Sequence, residues 1–103
     1  DNGGGMAFVF GDEVKDWQST DFQNHPISLS VSGADAAENF LSEMRCVPVE
    51  AVADLINHLA ARGYELAAGD FVSTGAATVP QPFVAGDNII ADFGSLGIIE
   101  LQF

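Results

Sequence analysis

Positive charge is the scarcest property of this sequence. Its 103 residues include 3 Lys and Arg against 15 Asp and Glu, which gives a formal net charge of −12. Lys15, Arg45 and Arg62 are too few and too scattered to form the basic stripe that follows a phosphate backbone. We therefore expect neither nucleic acid nor an anionic membrane surface as a partner, and the acidity is most simply a source of solubility.

Cysteine and long apolar runs are also scarce. The single cysteine, Cys46, allows no disulfide within the chain and no cysteine-based metal cluster. It stands among apolar residues without an activating arrangement nearby, so we expect a buried, unreactive thiol. No run has the length of a membrane span and no signal-peptide pattern opens the sequence, so we expect a cytoplasmic protein.

Hydrophobic residues, in contrast, are abundant for so short a chain, at 48%. A domain of this size buries only a modest fraction of its surface. We expect a single domain over 1–103, with a flexible start at 1–5, that covers its apolar surface by forming a homodimer or a higher homo-oligomer. The alternative is that the chain is one part of a larger protein.

The hydropathy pattern predicts an α+β fold with one main helix. That helix is predicted over 48–62, with Pro48 in its first turn and Gly63 closing it. Helical spacing of apolar residues also favours a short helix within 34–44. Alternating or apolar segments bounded by turn residues predict strands at 6–10, 27–33, 70–75, 87–94 and 97–103.

The triplet Ala-Gly-Asp occurs twice, at 68–70 and 85–87, each time before a short apolar run. Glycine adopts backbone conformations that other residues reach only at a cost, and an Asp side chain can hydrogen-bond the backbone just beyond it. The repeated triplet could be a ligand loop or plain turn chemistry. We predict that Asp70 and Asp87 are structural turn residues.

A longer motif string spans the second half of the chain. It reads L-x-A-G-D-x-V-x-[ST]-G at 66–75, G-D at 86–87, A-D-F-G-x-L-G at 91–97, and it closes on Phe103. This string resembles the C-terminal part of the 2-keto-4-pentenoate hydratase and 4-oxalocrotonate decarboxylase family, in the fumarylacetoacetate hydrolase superfamily. A weaker similarity covers 1–11. The resemblance implies a mixed, mostly antiparallel β-roll with helices packed outside, assembled as dimers or larger oligomers.

The groups that would carry the family's chemistry do not appear in this stretch of sequence. The resemblance implies Mg²⁺ or Mn²⁺ held by acidic residues that include a Glu-x-Glu pair, and no Glu-x-Glu occurs in these 103 residues. Four positions where the family has Arg, Lys, His and a hydroxyl residue are apolar, namely Ala7, Val31, Val47 and Ala76. We therefore expect no catalytic residue, no metal site and no cofactor in this chain.

Three hypotheses for function remain open. The first is a non-catalytic, oligomeric module that binds a partner or a small ligand, for which a neutral or apolar molecule suits the lost anion-holding groups. The second is a Mg- or Mn-dependent hydratase-type lyase whose metal-binding half is missing from this chain or supplied by a partner. The third is a structural or regulatory domain without a pocket.

The first hypothesis names specific residues. The ligand-binding residues are predicted to be Asp1, Asn2, Ser73, Thr74, Gly75 and Thr78. The interface residues are predicted to be Phe71, Ile89, Ile99 and Leu101. An unpaired apolar sheet invites association, which is why strand residues dominate the second group.

Overall fold

A computed structural model describes residues 7–103, which contain one α-helix and one three-stranded sheet. The predicted α+β class is confirmed. Residues 7–103 also contain three short 3₁₀ turns, at Trp17–Ser19, Ser42–Met44 and Gly94–Leu96. The elements are strand β1 at Ser28–Val31, helix α1 at Pro48–Ala60, strand β2 at Asn88–Asp92 and strand β3 at Ile98–Gln102. The predicted flexible start at 1–5 lies outside the described residues.

The sheet is antiparallel throughout, in the order β1-β2-β3. In its register, Ile89 pairs with Val31 on one side and with Leu101 on the other. Because side chains alternate between the faces of a sheet, this register collects the apolar residues on one face. That face consists of Leu29, Val31, Ile89, Ala91, Ile99 and Leu101, all half-buried. The N-terminal segment crosses it at Gly11, where an added Cβ would lie 3.3 Å from Ile99 Cδ1.

Helix α1 follows its predicted pattern closely. Pro48 begins it and Ala60 ends it, two residues earlier than predicted. Gly63 has a φ of +78°, and the Tyr64 N–H donates to the Leu59 carbonyl over 3.0 Å. This Schellman-type ending satisfies carbonyls that would otherwise lack donors. The half-buried apolar residues of the helix are Pro48, Ala51, Val52, Leu55 and Leu59.

The predicted short helix within 34–44 is wrong. Apart from the 3₁₀ turn at Ser42–Met44, backbone N–H groups of this segment donate to other segments instead of to a preceding helical turn. The Ala37 N–H donates to Leu29 O over 2.7 Å, and the Phe40 N–H donates to Ala77 O over 2.9 Å. Ala37 is also buried. Tertiary hydrogen bonds thus override the helical propensity of an Ala- and Glu-rich sequence.

The predicted strands at 6–10 and 70–75 are wrong as well, as far as the described residues extend. Residues 7–10 and 70–75 carry no ladder of backbone hydrogen bonds. They meet through aromatic rings, since the ring of Phe71 lies 5.1 Å from Phe8 and 4.9 Å from Phe10, centroid to centroid. A strand requires a neighbouring backbone whose N–H and C=O groups face it, and side-chain contact does not supply one.

The two Ala-Gly-Asp triplets form the same turn. The Asp70 N–H donates to Ala67 O over 3.1 Å, and Asp70 Oδ2 accepts from the Ala67 N–H over 2.8 Å. Asp87 makes the same two bonds with Val84, over 3.1 and 2.8 Å. The glycine before each Asp has φ of +97° or +94°, as a type II turn requires. Both carboxylates are structural, but each reaches back to the backbone that precedes it, so the predicted direction was wrong.

The described chain has little buried interior. Among residues 7–103, only Ala37 and Arg45 are buried, and neither is completely covered. The accessible surface is 7855 Å², whereas a globular protein of 10.8 kDa exposes about 5,500 Å². Helix α1 makes few contacts with the sheet, so the predicted packing of the helix on the sheet is not seen as a layer. Much apolar surface is therefore available for contact with something else.

Within the described residues, no helix is both long enough and apolar enough to cross a membrane.

Candidate ligand cleft

A partly enclosed cleft of about 220 Å³ forms where four segments of the chain meet. Its walls come from residues 22–27, 45–48, 74–77 and 93–96, and we call it the Thr74 cleft. Most of its lining is apolar. Its polar side chains come from three separate segments, and they are His25, Arg45, Cys46 and Thr74.

Arg45 holds one wall of the Thr74 cleft together. It is buried, and its Nε donates to Phe40 O over 2.6 Å while Nη2 donates to Asn39 Oδ1 over 2.9 Å. Its Nη1 donates to the carbonyls of Phe22 and His25. A buried charge is tolerated only when its donors are satisfied, and here every acceptor is neutral. Arg45 is thus fixed as a clasp between the 22–25 and 39–45 segments.

His25 is fixed from the opposite side. Its Nε2 lies 2.6 Å from the carbonyl oxygen of Phe93. A carbonyl oxygen only accepts, so Nε2 carries the proton in this arrangement. Gly94 permits the approach, because a Cβ there would lie 3.3 Å from Nε2 and its φ is +59°. The sequence did not single out His25, since its partner is 68 positions away.

The motif A-D-F-G-x-L-G at 91–97 builds the turn that presents Phe93 and Leu96 to the cleft. Asp92 Oδ1 accepts from the Gly94 N–H over 2.8 Å, and the Phe93 N–H donates to Gly97 O over 2.8 Å. These bonds close a compact connection between β2 and β3. The motif therefore has a structural reason that requires no catalytic role for Asp92.

Of the six predicted ligand-binding residues, the structure places two in the cleft. Thr74 and Gly75 line it. Ser73 is exposed outside it, and Thr78 is part of an isolated β-bridge with Asn39. The other two, Asp1 and Asn2, lie outside the described residues. The structure thus brings part of the predicted group together with His25 and Arg45.

The prediction that Cys46 is buried is wrong, because this residue is exposed. It packs against Gly75, where an added Cβ would lie 3.3 Å from Cys46 Cβ and 3.6 Å from Sγ. Val47 and Pro48, which follow it in sequence, lead into α1 and leave the residue exposed. Cys46 therefore lies on the open wall of the Thr74 cleft.

The four predicted interface residues lie in two places. Ile89, Ile99 and Leu101 share the apolar face of the sheet, where they are half-buried. Phe71 belongs instead to a cluster with Phe8 and Phe10, and its side chain is 61% exposed. The sheet residues and the aromatic cluster are thus separate candidates for contact.

The acidic residues do not converge. Within residues 7–103, no group of three or more His, Cys, Asp or Glu side chains is placed to hold a metal ion. Asp87 is the carboxylate whose hydrogen bonds clearly shift its pKa. The hydrogen bond from the Val84 N–H, and then that from the Ser32 hydroxyl, hold the pKa of Asp87 below its ordinary value, although burial opposes this.

The chain is similar in sequence to bacterial hydratases and decarboxylases. Over all 103 residues it is 31% identical to 2-hydroxyhexa-2,4-dienoate hydratase of Comamonas testosteroni. It is 26% identical to 4-oxalocrotonate decarboxylase of Pseudomonas putida and 27% identical to that of Pseudomonas sp. (strain CF600). The chain covers 39% of the length of each of these proteins. No family model and no solved structure matches it significantly.

The predicted resemblance to the hydratase and decarboxylase family is therefore confirmed. The similarity extends along the entire chain, whereas the chain spans about two fifths of the relatives' length.

Proposed function

We propose that this chain is a cytoplasmic, non-catalytic, hydratase-like module that binds a small neutral or apolar molecule in the Thr74 cleft. The observation that carries the proposal is the chemistry of the lining. Most of the lining is apolar, and its two basic side chains, Arg45 and His25, are engaged by backbone carbonyls. Groups engaged in this way support the walls and are poorly placed to grip a charged substrate.

The size of the cleft limits the ligand. Pockets for drug-sized molecules usually measure about 300–1,000 Å³, so a cleft of about 220 Å³ suits a compact molecule. Ala76 stands where the family has a hydroxyl residue, and Thr74 beside it offers a single hydroxyl for orientation. A small apolar body with one polar group fits this lining best.

The proposal includes the architecture and the assembly. The three antiparallel strands and α1 are compatible with a piece of a larger β-roll, which we propose as the fold. The excess accessible surface and the exposed aromatic cluster support a homodimer or a higher homo-oligomer. Static light scattering at micromolar concentration tests the assembly, and a monomeric mass would contradict it. Phe71→Ser should shift an oligomer toward monomer, whereas Ser73→Ala, two positions away, should not.

Ligand binding is tested by isothermal titration and thermal-shift screening of apolar small molecules against 2-oxo acids. Ala76→Leu should fill the cleft and abolish binding of any apolar hit. Ala53→Leu is the matched control, because Ala53 is exposed on α1 and does not line the cleft. Binding of pyruvate or oxalate alone would contradict the proposal, as would equal binding by both variants.

The second candidate function is a metal-dependent hydratase-type lyase, and the enzymes to which the chain is similar favour it. Mg²⁺ and Mn²⁺ prefer several converging oxygen ligands. The described residues do not fit such an ion, because their acidic side chains do not gather into a ligand group. In this candidate the remaining ligands come from outside these 103 residues. Turnover of 2-hydroxyhexa-2,4-dienoate by the isolated chain with Mg²⁺ would overturn the first proposal in its favour.

A further inference from the structure

A second concave surface lies at the start of α1, beside the Thr74 cleft, with which it shares Phe22 and Pro48. Two depressions of about 420 and 270 Å³ adjoin there, and they share Trp17, Phe22 and Val49. We call the combined surface the Trp17 cleft. The smaller depression is lined by these three residues with Pro48 and Val52, and its surface is almost entirely apolar.

The aromatic part of the Trp17 cleft is accessible and held in place. The Trp17 side chain is 44% exposed, although tryptophan is usually buried in folded proteins. It begins a 3₁₀ turn, where the Ser19 hydroxyl interacts with Asp16 O at 2.9 Å and with Asp16 Oδ2 at 3.0 Å. The ring therefore stands on a short constrained segment and presents a π surface to solvent.

The charged residues that line this aromatic surface are all acidic. Asp21 and Glu50 line the larger depression, and no Lys or Arg lines either one. Asp21 Oδ2 accepts from Asn24 Nδ2 over 3.0 Å, which helps to fix that carboxylate. The helix N-terminus contributes about half a positive charge, which two full carboxylates outweigh. The net charge of −12 adds to the negative potential at this surface.

From this arrangement we infer that the Trp17 cleft binds a small organic cation, such as a quaternary ammonium group. An aromatic face attracts a cation through its ring quadrupole, and methyl groups on nitrogen bury well against Phe22, Val49 and Val52. The carboxylates of Asp21 and Glu50 supply the opposing charge at the rim. A depression of about 270 Å³ suits a single ammonium group with its substituents better than a length of peptide.

The chain offers a direct readout, because Trp17 is its only tryptophan. Choline is the probe, and 3,3-dimethylbutan-1-ol is its uncharged counterpart of nearly identical shape. Titration of choline should change Trp17 fluorescence saturably, and the alcohol should bind at least about tenfold more weakly, since a single charge–carboxylate attraction at a protein surface has that size. Equal affinity for the two compounds would overturn the inference, as would the absence of any saturable change with choline.

Substitutions locate the site. Glu50→Gln and Asp21→Asn should each weaken choline binding several-fold, and raising the salt concentration should weaken it further. Asp54→Asn is the matched control, because Asp54 is an exposed residue of α1 that lines neither depression. Far-UV circular dichroism of each variant establishes that it is folded. Unchanged binding by Glu50→Gln and Asp21→Asn would overturn the inference.

A basic peptide is the competing occupant. If a Lys-rich peptide quenched Trp17 while choline did not, the cleft would be a docking surface for a macromolecule and the inference would fail. Loss of ligand binding at the Thr74 cleft through Ala76→Leu should leave this result unaffected, because Ala76 lines neither depression of the Trp17 cleft.

Discussion

The two Ala-Gly-Asp turns are nearly identical locally, yet they differ in what surrounds them. The turn at 67–70 is bonded within itself, between Asp70 and Ala67. The turn at 84–87 has the same internal bonds and is also joined to the sheet from both sides. The Gly86 N–H donates to Phe103 O over 2.7 Å, and the Phe103 N–H donates to Asp87 O over 2.9 Å.

On the β1 side, the Ser32 hydroxyl donates to Asp87 Oδ1 over 2.7 Å and accepts from the Asn88 N–H over 3.2 Å. Sequence chemistry therefore determines the turn, while the tertiary contacts determine how much of the fold depends on it. The turn at 84–87 connects all three strands, so damage there should spread through the sheet. Damage to the turn at 67–70 should remain local.

The largest expected effect separates Asp87→Ala from Asp70→Ala. The first removes the acceptor for both the Val84 N–H and the Ser32 hydroxyl, whereas the second removes only the acceptor for Ala67. Thermal unfolding followed by circular dichroism should show a clearly larger fall in Tm for Asp87→Ala. Equal falls would mean that the contacts with the sheet add nothing to the turn.

The glycines give the next largest effect. Gly86→Ala should lower the free energy of unfolding by about 1–2 kcal/mol, because an L-residue is strained at a φ of +94° and the sheet prevents relaxation. Space is not the cause, since nothing lies within 4 Å of an added Cβ. Gly69→Ala, at a φ of +97°, should cost less because its turn can relax. Urea unfolding measures both, and a larger cost for Gly69→Ala would contradict the comparison.

Ser32→Ala should have a smaller effect, about 0.5–1.5 kcal/mol, because it removes one hydroxyl that bridges Asp87 and Asn88 at an exposed position. It should also raise the pKa of Asp87 toward its ordinary value, since the Ser32 hydrogen bond is one of the two that lower it. Carbon-detected NMR titration of the Asp side chains measures the change. Ser30→Ala in β1 is the control and should leave the pKa of Asp87 unchanged.

The smallest effect is the dependence of stability on acid. The folded-state pKa of Asp87 lies below its ordinary value of 3.8, so the unfolded chain takes up the proton first as the pH falls. The stabilisation from Asp87 is therefore complete above that value and is lost as the pH falls through the folded-state pKa. Urea unfolding between pH 5 and about 2.5 should show a steeper loss for the native sequence than for Asp87→Asn. Parallel curves would contradict this assignment.

The sequence predicts best those elements whose determinants are local. The end of α1 at Gly63, the turns at 67–70 and 84–87, and the strands that alternate in the sheet follow from residue type and spacing. The extended segments at 7–10 and 70–75 have strand-like composition without a backbone partner. A strand depends on its neighbour, so composition alone could not distinguish them from β1, β2 and β3.

The candidate site is less predictable, because its residues meet through long-range contacts. Thr74 and Gly75 could be predicted from a motif, whereas His25 reaches the same cleft through a bond to Phe93. Cys46 makes the same point, since its apolar neighbours in sequence predicted burial, whereas the fold leaves it exposed and packs it against Gly75. Local pattern therefore identifies the turns that shape the cleft, but it does not identify every side chain that those turns bring together.

The hydrogen bonds of Arg45 have a consequence for how the protein should unfold at low pH. The acceptors it bonds are amide and peptide oxygens, which do not titrate in the range where carboxylates do. Acid should thus weaken the hydrogen bonds to the Asp87 carboxylate, while the hydrogen bonds of the Arg45 guanidinium persist. Lowering the pH should therefore reduce amide protection from exchange more around Asp87 than around residues 39–45. The part of the fold least sensitive to acid would then be the part organised around Arg45, a buried cation in a strongly acidic chain.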